Sequence, residues 1–183
     1  MARPWIPRSA WPRATAEEVL YVVAWPLLSE ADDTALRRLR AQYHPREAGL
    51  IGPHFTLVFG APAEQETRLR AAFQAMVAHR PFWFVIDRIV RDERYLYAVP
   101  ADGSAELTEL YDALNPAPGP ALGNEPFEPH ITLGLFDRAA EAEQVARIVE
   151  RQHLPMHGRV EELALLKREA EALATLATVR LAA

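Results

Sequence analysis

The spacing of apolar positions changes along this chain and predicts alternating strands and helices. Short β-branched and aromatic runs predict strands, whereas apolar residues three or four positions apart predict helices. The predicted strands are residues 19–26, HFTLVFG from residue 54, 82–90, 93–100, HITLGLF from residue 130, and segments near 160–167 and 173–181. The predicted helices run from Ser29 to about Tyr43, over 63–79, over 104–114 and over about 138–152.

Prolines and capping residues predict where these elements end. The first strand is expected to stop at Pro26, because proline lacks the N–H that a strand ladder uses. Ser29, with Asp32 three residues later, predicts a helix N-cap. Only two residues, 91 and 92, separate the strands 82–90 and 93–100, so these should form a hairpin. The proline-rich stretch 115–129 is expected to be a loop.

The two halves of the chain repeat one another. Five residues recur 74 positions later: Tyr21, Ala24, Pro26, Thr34 and Leu36 recur as Tyr95, Ala98, Pro100, Thr108 and Leu110. His54 recurs as His130. The pattern predicts an internal duplication, with pseudo-repeats at about 19–92 and 93–181 inside one bilobal domain of residues 18–183.

The first 17 residues differ from the rest of the chain. Prolines 4, 7 and 12 alternate with Trp5 and Trp11, which predicts an extended strap and not a helix. The tryptophans could pin the strap to the body of the protein or form a ligand-binding arm.

Composition narrows the classes of function. The chain of 183 residues has no cysteine, so disulfides, thiolate zinc sites and cysteine nucleophiles are excluded. A net charge of -5 argues against a surface that binds a long nucleic-acid tract, but it allows a small phosphodiester or an RNA terminus as partner. We find no signal-peptide core and no apolar run of membrane-spanning length, so we expect a cytoplasmic monomer without a membrane partner.

The strongest chemical signal is a pair of nearly identical segments, PHFTL and PHITL. Alternate side chains of a strand share a face, so each histidine and the threonine two positions later should point away from the core. Four polar groups would then surround one small cavity suited to a phosphate: His54, Thr56, His130 and Thr132. We refer to residues 54–57 and 130–133 as the first and second tetrads.

Phosphodiester cleavage explains why these residue types occur together. One group must take a proton from the attacking oxygen, and another must give a proton to the leaving oxygen. Histidine, with a reference pKa of about 6.5, can do either near neutral pH. We therefore assign general acid–base catalysis to His54 and His130, and phosphate binding to the hydroxyls of Thr56 and Thr132. The sequence leaves open which histidine is the base.

The paired tetrads HFTL and HITL, each within a repeated strand–helix unit, resemble the two-histidine (2H) phosphoesterase superfamily. This superfamily includes bacterial 2'-5' RNA ligase-like proteins and cyclic phosphodiesterases, and the resemblance covers about residues 18–181. It implies a duplicated, bilobal α+β fold, with two antiparallel sheets around a central cleft and helices outside. It also implies activity on 2',3'-cyclic phosphates or 2'-5' linkages of RNA or nucleotides, without metal or cofactor.

Two other functions remain open. A zinc site would use histidines, but the sequence has no HExxH or His-x-His motif, and zinc would leave the threonines without a role. A non-catalytic protein that binds RNA ends or nucleotides would need only the cavity.

Several other residues have two interpretations. Lys167 and Arg168 are either phosphate neighbours or a solvated strand end, and Tyr97 either lines the cleft or belongs to the core. The remaining four histidines lie near prolines or helix ends and are expected at the surface: His44, His79, His153 and His157.

Overall fold

The computed structural model describes residues 18–92, 94–115, 127–170 and 172–182. The elements in these ranges are β1 (Glu18–Leu28), α1 (Glu30–Tyr43), α2 (Pro45–Ala48), β2 (Phe55–Pro62), α3 (Glu66–Ala75), β3 (Phe82–Asp92), β4 (Tyr95–Asp102), α4 (Ser104–Leu114), β5 (Ile131–Leu135), α5 (Ala139–His153), β6 (Met156–Glu169) and β7 (Ala172–Arg180). The predicted strap 1–17 and most of the predicted loop 115–129 lie outside the described residues.

The described strands form one antiparallel sheet in the order β2-β1-β6-β3-β4-β5, with β7 beside β6. If β1, β2 and β3 are exchanged with β4, β5 and β6, respectively, and the order is then read from its other end, the same order results. The predicted α+β fold with helices outside is confirmed. The two predicted sheets are its two halves, and pairing between β3 and β6 makes them continuous.

The cross-strand register repeats with the offset seen in the sequence. Val23 of β1 lies opposite Thr56 of β2, and Tyr97 of β4 lies opposite Thr132 of β5. Val23 and Tyr97 are 74 positions apart. The two tetrads therefore occupy equivalent positions in equivalent strand pairs.

The two halves meet where residues 82–86 of β3 pair with residues 156–160 of β6. Phe84 lies opposite Gly158 at the middle of this pairing, and these two residues are also 74 positions apart. An approximate twofold axis of the duplication thus passes through this pair. Glycine allows this close approach, because a β-carbon on Gly158 would overlap the ring of Phe84, lying 2.7 Å from its Cε1 atom.

The main core lies between one face of the sheet and the helices. The apolar residues of the sheet alternate, so every second side chain points into this core. The helices contribute the apolar stripe of each amphipathic face: Leu36 from α1, Leu69 and Phe73 from α3, Leu107, Leu110 and Leu114 from α4, and Ala142, Val145 and Val149 from α5. None of the helices in the described ranges is long and apolar enough to span a membrane.

Several of the predicted element bounds need correction. β1 does not stop at Pro26 but continues to Leu28, because Pro26 lies where the pairing with β6 is irregular and the missing N–H is tolerated. The segment 63–79 is α-helical only over Glu66–Ala75, with a 3₁₀ turn at each end. β6 begins at Met156, earlier than predicted, where it pairs with β3.

Candidate active site

Both histidines lie immediately before a strand, not within it as the sequence suggested. β2 begins at Phe55 and β5 begins at Ile131. The alternation within each tetrad is as predicted, since the two apolar side chains are buried while the histidine and the threonine are half-buried. Each histidine thus lies at the start of a strand anchored by its own apolar neighbours.

The two imidazoles are held in the same way. Nδ1 of His54 lies 2.8 Å from the carbonyl oxygen of Gly52, and Nδ1 of His130 lies 2.7 Å from that of Glu128. A carbonyl oxygen only accepts, so Nδ1 is the donor in both residues. Nε2 is therefore the nitrogen of each ring that can gain or lose a proton while this hydrogen bond is kept.

One buried arginine connects the second tetrad to the loop that precedes the first tetrad. Nη1 of Arg40, in the last turn of α1, donates to the carbonyl oxygen of Thr132 at 2.6 Å. Nη2 of the same residue donates to the carbonyl oxygen of Ile51 at 3.0 Å, three residues before His54. Because one planar guanidinium contacts both, these carbonyl oxygens lie within about 8 Å of each other. The structure thus brings the second tetrad next to the loop that carries His54.

A small apolar layer covers the sheet face opposite the main core, beside the first tetrad. Val23, which lies opposite Thr56, is buried there with Ala164 and Leu166. Tyr21, Trp25, Ile51 and Leu173 pack against these three residues. Thr56 therefore lies beside an apolar layer on this face of the sheet.

Each histidine also contacts an aromatic ring. The ring of His130 lies 4.4 Å from that of Tyr97, which is fully buried and stacks on Tyr95. Tyr97 is thus a core residue and a neighbour of His130, so both interpretations of it hold in part. The rings of Trp25 and His54 are arranged edge to face, with their centroids 6.3 Å apart. The sequence pattern did not indicate Trp25 as a neighbour of His54. Its only signal is that it shares a face of β1 with Val23, and this signal becomes useful only once the strand pairing is known.

Lys167 and Arg168 point to different faces of the sheet. Lys167 lies opposite Leu20, a core residue, so it is on the face away from the threonines. It forms ion pairs with Glu18 at 2.6 Å and Glu169 at 3.1 Å, and these hydrogen bonds raise its pKa. For Lys167 the strand-end interpretation therefore fits.

Arg168 lies on the same face as Tyr21. It approaches Glu47 at 3.6 Å and lies near Tyr21, whose pKa is raised because burial outweighs the opposing effect of the Arg168 cation. The positive charge of Arg168 is thus partly compensated by the Glu47 carboxylate.

The other histidines are not all at the surface. His157 is exposed, whereas His79 and His153 are half-buried. His44, the residue that follows α1, is also half-buried and its ring contacts Tyr95. Within the described ranges, no three His, Asp or Glu side chains are grouped so that they could hold a metal ion.

A sequence model of the 2'-5' RNA ligase superfamily matches residues 28–172, a span that contains both tetrads. No curated protein matches the chain at a significant level.

Solved structures resemble this fold over nearly their whole length. E. coli LigT complexed with 3'-AMP has 21% sequence identity and a TM-score of 0.62, and the match covers 90% of this chain and 98% of that one. For E. coli LigT complexed with NADP+ the identity is 20% and the TM-score 0.61, with coverage of 91% and 98%. Kluyveromyces marxianus Usb1 has 10% identity and a TM-score of 0.52, with coverage of 86% and 97%. At these identities the likeness establishes the fold.

Proposed function

The chain belongs to the 2'-5' RNA ligase superfamily of 2H phosphoesterases, and from this premise we propose that it is a metal-independent phosphodiesterase. Its proposed substrates are 2',3'-cyclic phosphates or 2'-5' phosphodiester ends of RNA or nucleotides. The observation that supports this most is the equivalence of the two histidines, which have the same ring nitrogen bound to a backbone carbonyl and lie at equivalent positions of the repeat.

The proposed reaction uses one imidazole on each side of phosphorus. For a 2',3'-cyclic phosphate, neutral Nε2 of one histidine takes a proton from water as the water oxygen bonds to phosphorus. Protonated Nε2 of the other histidine gives its proton to the 2' or 3' oxygen as the P–O bond breaks. The product is a phosphomonoester, and the two imidazoles regain their starting states by proton exchange with solvent. Each proton transfer contributes roughly 100- to 10,000-fold in rate.

The threonines have a supporting role in this proposal. The hydroxyls of Thr56 and Thr132 donate hydrogen bonds to the non-bridging oxygens of the phosphate. A hydrogen bond to a charged group contributes about 1.5 to 3 kcal/mol. No protein carboxylate needs to be protonated for this reaction, because both transferred protons pass through histidine.

The test is a panel of 2',3'-cyclic mononucleotides and 2'-5' linked dinucleotides, incubated with EDTA and the wild type, His54→Ala or His130→Ala. We expect turnover by the wild type and a loss of at least about 100-fold in each variant, since each removes one proton transfer. His157→Ala is the matched control, because His157 is exposed and outside both tetrads. It should keep wild-type turnover.

Three other results of this panel would change the proposed function. Binding of RNA ends without turnover of any panel member would indicate a non-catalytic binding protein. Loss of wild-type turnover in EDTA would indicate that a metal ion takes part. Joining of ends in place of hydrolysis would keep the two histidine roles but reverse the direction, since both directions use the same acid and base.

A further inference from the structure

The helices that follow β1 and β4 contact the tetrad strand of the other half. Helix α1, in the first half, lies against β5, and α4, in the second half, lies against β2. β2 and β5 are the two ends of the described strand order. Each tetrad strand is therefore paired with its own half on one side and contacted by a helix of the other half.

Arg40 makes this contact from α1. Its side chain is only 2% exposed, and its two terminal nitrogens donate to Thr132 in the second tetrad and to Ile51 in the loop before His54. The rigid fork of a guanidinium fixes the relative positions of two acceptors, which the single ammonium of lysine cannot do. Arg40 therefore restrains at once the backbone of the second tetrad and the loop that leads into the first tetrad.

Asn115, directly after α4, makes the reciprocal contact. Its Nδ2 donates to the carbonyl oxygen of Leu57 in the first tetrad at 3.1 Å and to the carbonyl oxygen of Tyr111 at 2.8 Å. The second bond fixes the amide to the end of its own helix. Asn115, at the end of α4, thus binds the first tetrad, just as Arg40 of α1 binds the second tetrad.

The two halves differ at the position of Arg40. The residue 74 positions after Arg40 is Leu114, which is fully buried in the core at the end of α4. An equivalent site therefore accepts an apolar side chain. Burial lowers the pKa of Arg40 because it disfavours the charged form, with Glu47 acting in the opposite sense. Burying a cation costs desolvation energy, so the burial of Arg40 is weak evidence for a purely stabilising role.

We propose that Arg40 and Asn115 are positioning residues that set the distance and orientation between the two histidines across the approximate twofold axis. This inference rests on the proposed function. Proton transfer to and from one phosphate needs both imidazoles in place, and a displacement of about 1 Å can lower a rate by about 100-fold. Their loss should affect kcat more than KM, since the atoms that bind phosphate remain.

The experiment compares Arg40→Met, Arg40→Lys and Asn115→Ala with the wild type on whichever panel substrate it turns over. We expect kcat to fall about 10- to 100-fold in Arg40→Met, with KM within about threefold. Arg40→Lys keeps the cation but can restrain only one carbonyl, so its loss of kcat should be intermediate. This variant replaces Arg40→Met in the comparison if the methionine variant fails to fold. Asn115→Ala should lose about fivefold to tenfold, because one neutral hydrogen bond to a tetrad is removed.

Leu36→Ala and Leu114→Ala are the controls, since they truncate buried residues of α1 and α4 that belong to the main core. Measured where all variants are folded, each control should keep kcat within about threefold while losing stability. Wild-type kcat in Arg40→Lys, or an equal loss of kcat in Leu36→Ala and Arg40→Met, would overturn the proposal.

Failure of the proposed function can be separated from failure of this inference. If the wild type turns over no panel member, the phosphodiesterase proposal fails, and amide hydrogen exchange still tests the restraint. Arg40→Met, which can restrain neither carbonyl, should then speed exchange in residues 51–57 and 131–135 together, beyond the change in Leu36→Ala. Faster exchange in neither segment, or in only one, would contradict a restraint shared by both tetrads.

Discussion

At the scale of single residues, the two histidines have the same kind of backbone partner but different aromatic neighbours. Both rings donate from Nδ1 to the carbonyl two residues earlier, so the orientation of each is set by its own loop. His130 contacts buried Tyr97, whereas the rings of His54 and Trp25 are arranged edge to face. This difference gives two equivalent imidazoles distinct surroundings, as a division into acid and base requires.

The threonines provide a test at this scale. Thr56→Val and Thr132→Val each replace a hydroxyl by a methyl group of similar size, so one hydrogen bond to the phosphate is lost. We expect kcat/KM to fall by about 10- to 100-fold, which corresponds to about 1.5 to 3 kcal/mol. This loss should be smaller than that in His54→Ala or His130→Ala, measured on the same substrate. A valine variant as impaired as the histidine variants would assign the threonines a different role.

At the scale of elements, the sequence predicted the structure correctly where residues close together in the chain determine it. Ser29 caps α1 as predicted, its Oγ accepting from the amide of Asp32 at 3.1 Å, and α4 covers residues 104–114 as its apolar spacing indicated. β1 continues past Pro26 because its pairing with β6 is irregular there. That irregularity depends on a strand more than 130 positions away, so no local pattern could indicate it.

The pairing of β3 with β6 allows a second test. Gly158→Ala places a β-carbon against the fully buried ring of Phe84, so one of them must move. Overpacking of this kind costs typically about 1 to 3 kcal/mol in the free energy of unfolding, measurable by urea denaturation. Phe84 packs edge-on against Phe55, the neighbour of His54, so turnover should also decrease.

Gly49→Ala is the matched control for this substitution. A β-carbon on Gly49 would meet only Pro45 and Arg46 carbonyl oxygens, at 3.5 and 3.6 Å, which is ordinary contact. Its φ of -72° suits any residue. The control should unfold at the wild-type urea concentration. Equal stability of Gly158→Ala and Gly49→Ala would show that the contact with Phe84 does not require glycine.

At the scale of the whole molecule, the duplication accounts for the arrangement of the site. The repeated offset in the sequence predicted two equivalent tetrads, and the strand order and register agree with it. The sequence could not show how the halves are joined. Arg40 and Thr132 are 92 positions apart, and neither residue stands in a motif that distinguishes it from a surface arginine or an ordinary strand carbonyl.

The pH dependence of the rate shows whether His54 and His130 act as an acid–base pair on one phosphate. One imidazole must be neutral, so the rate rises with pH through its pKa; the other must be protonated, so the rate falls through its own. With chemistry rate-limiting, kcat/KM of the wild type is predicted to be bell-shaped between about pH 5 and pH 9. His54→Ala and His130→Ala should each abolish one limb, and not the same one. A flat wild-type profile, or loss of the same limb in both variants, would contradict the account.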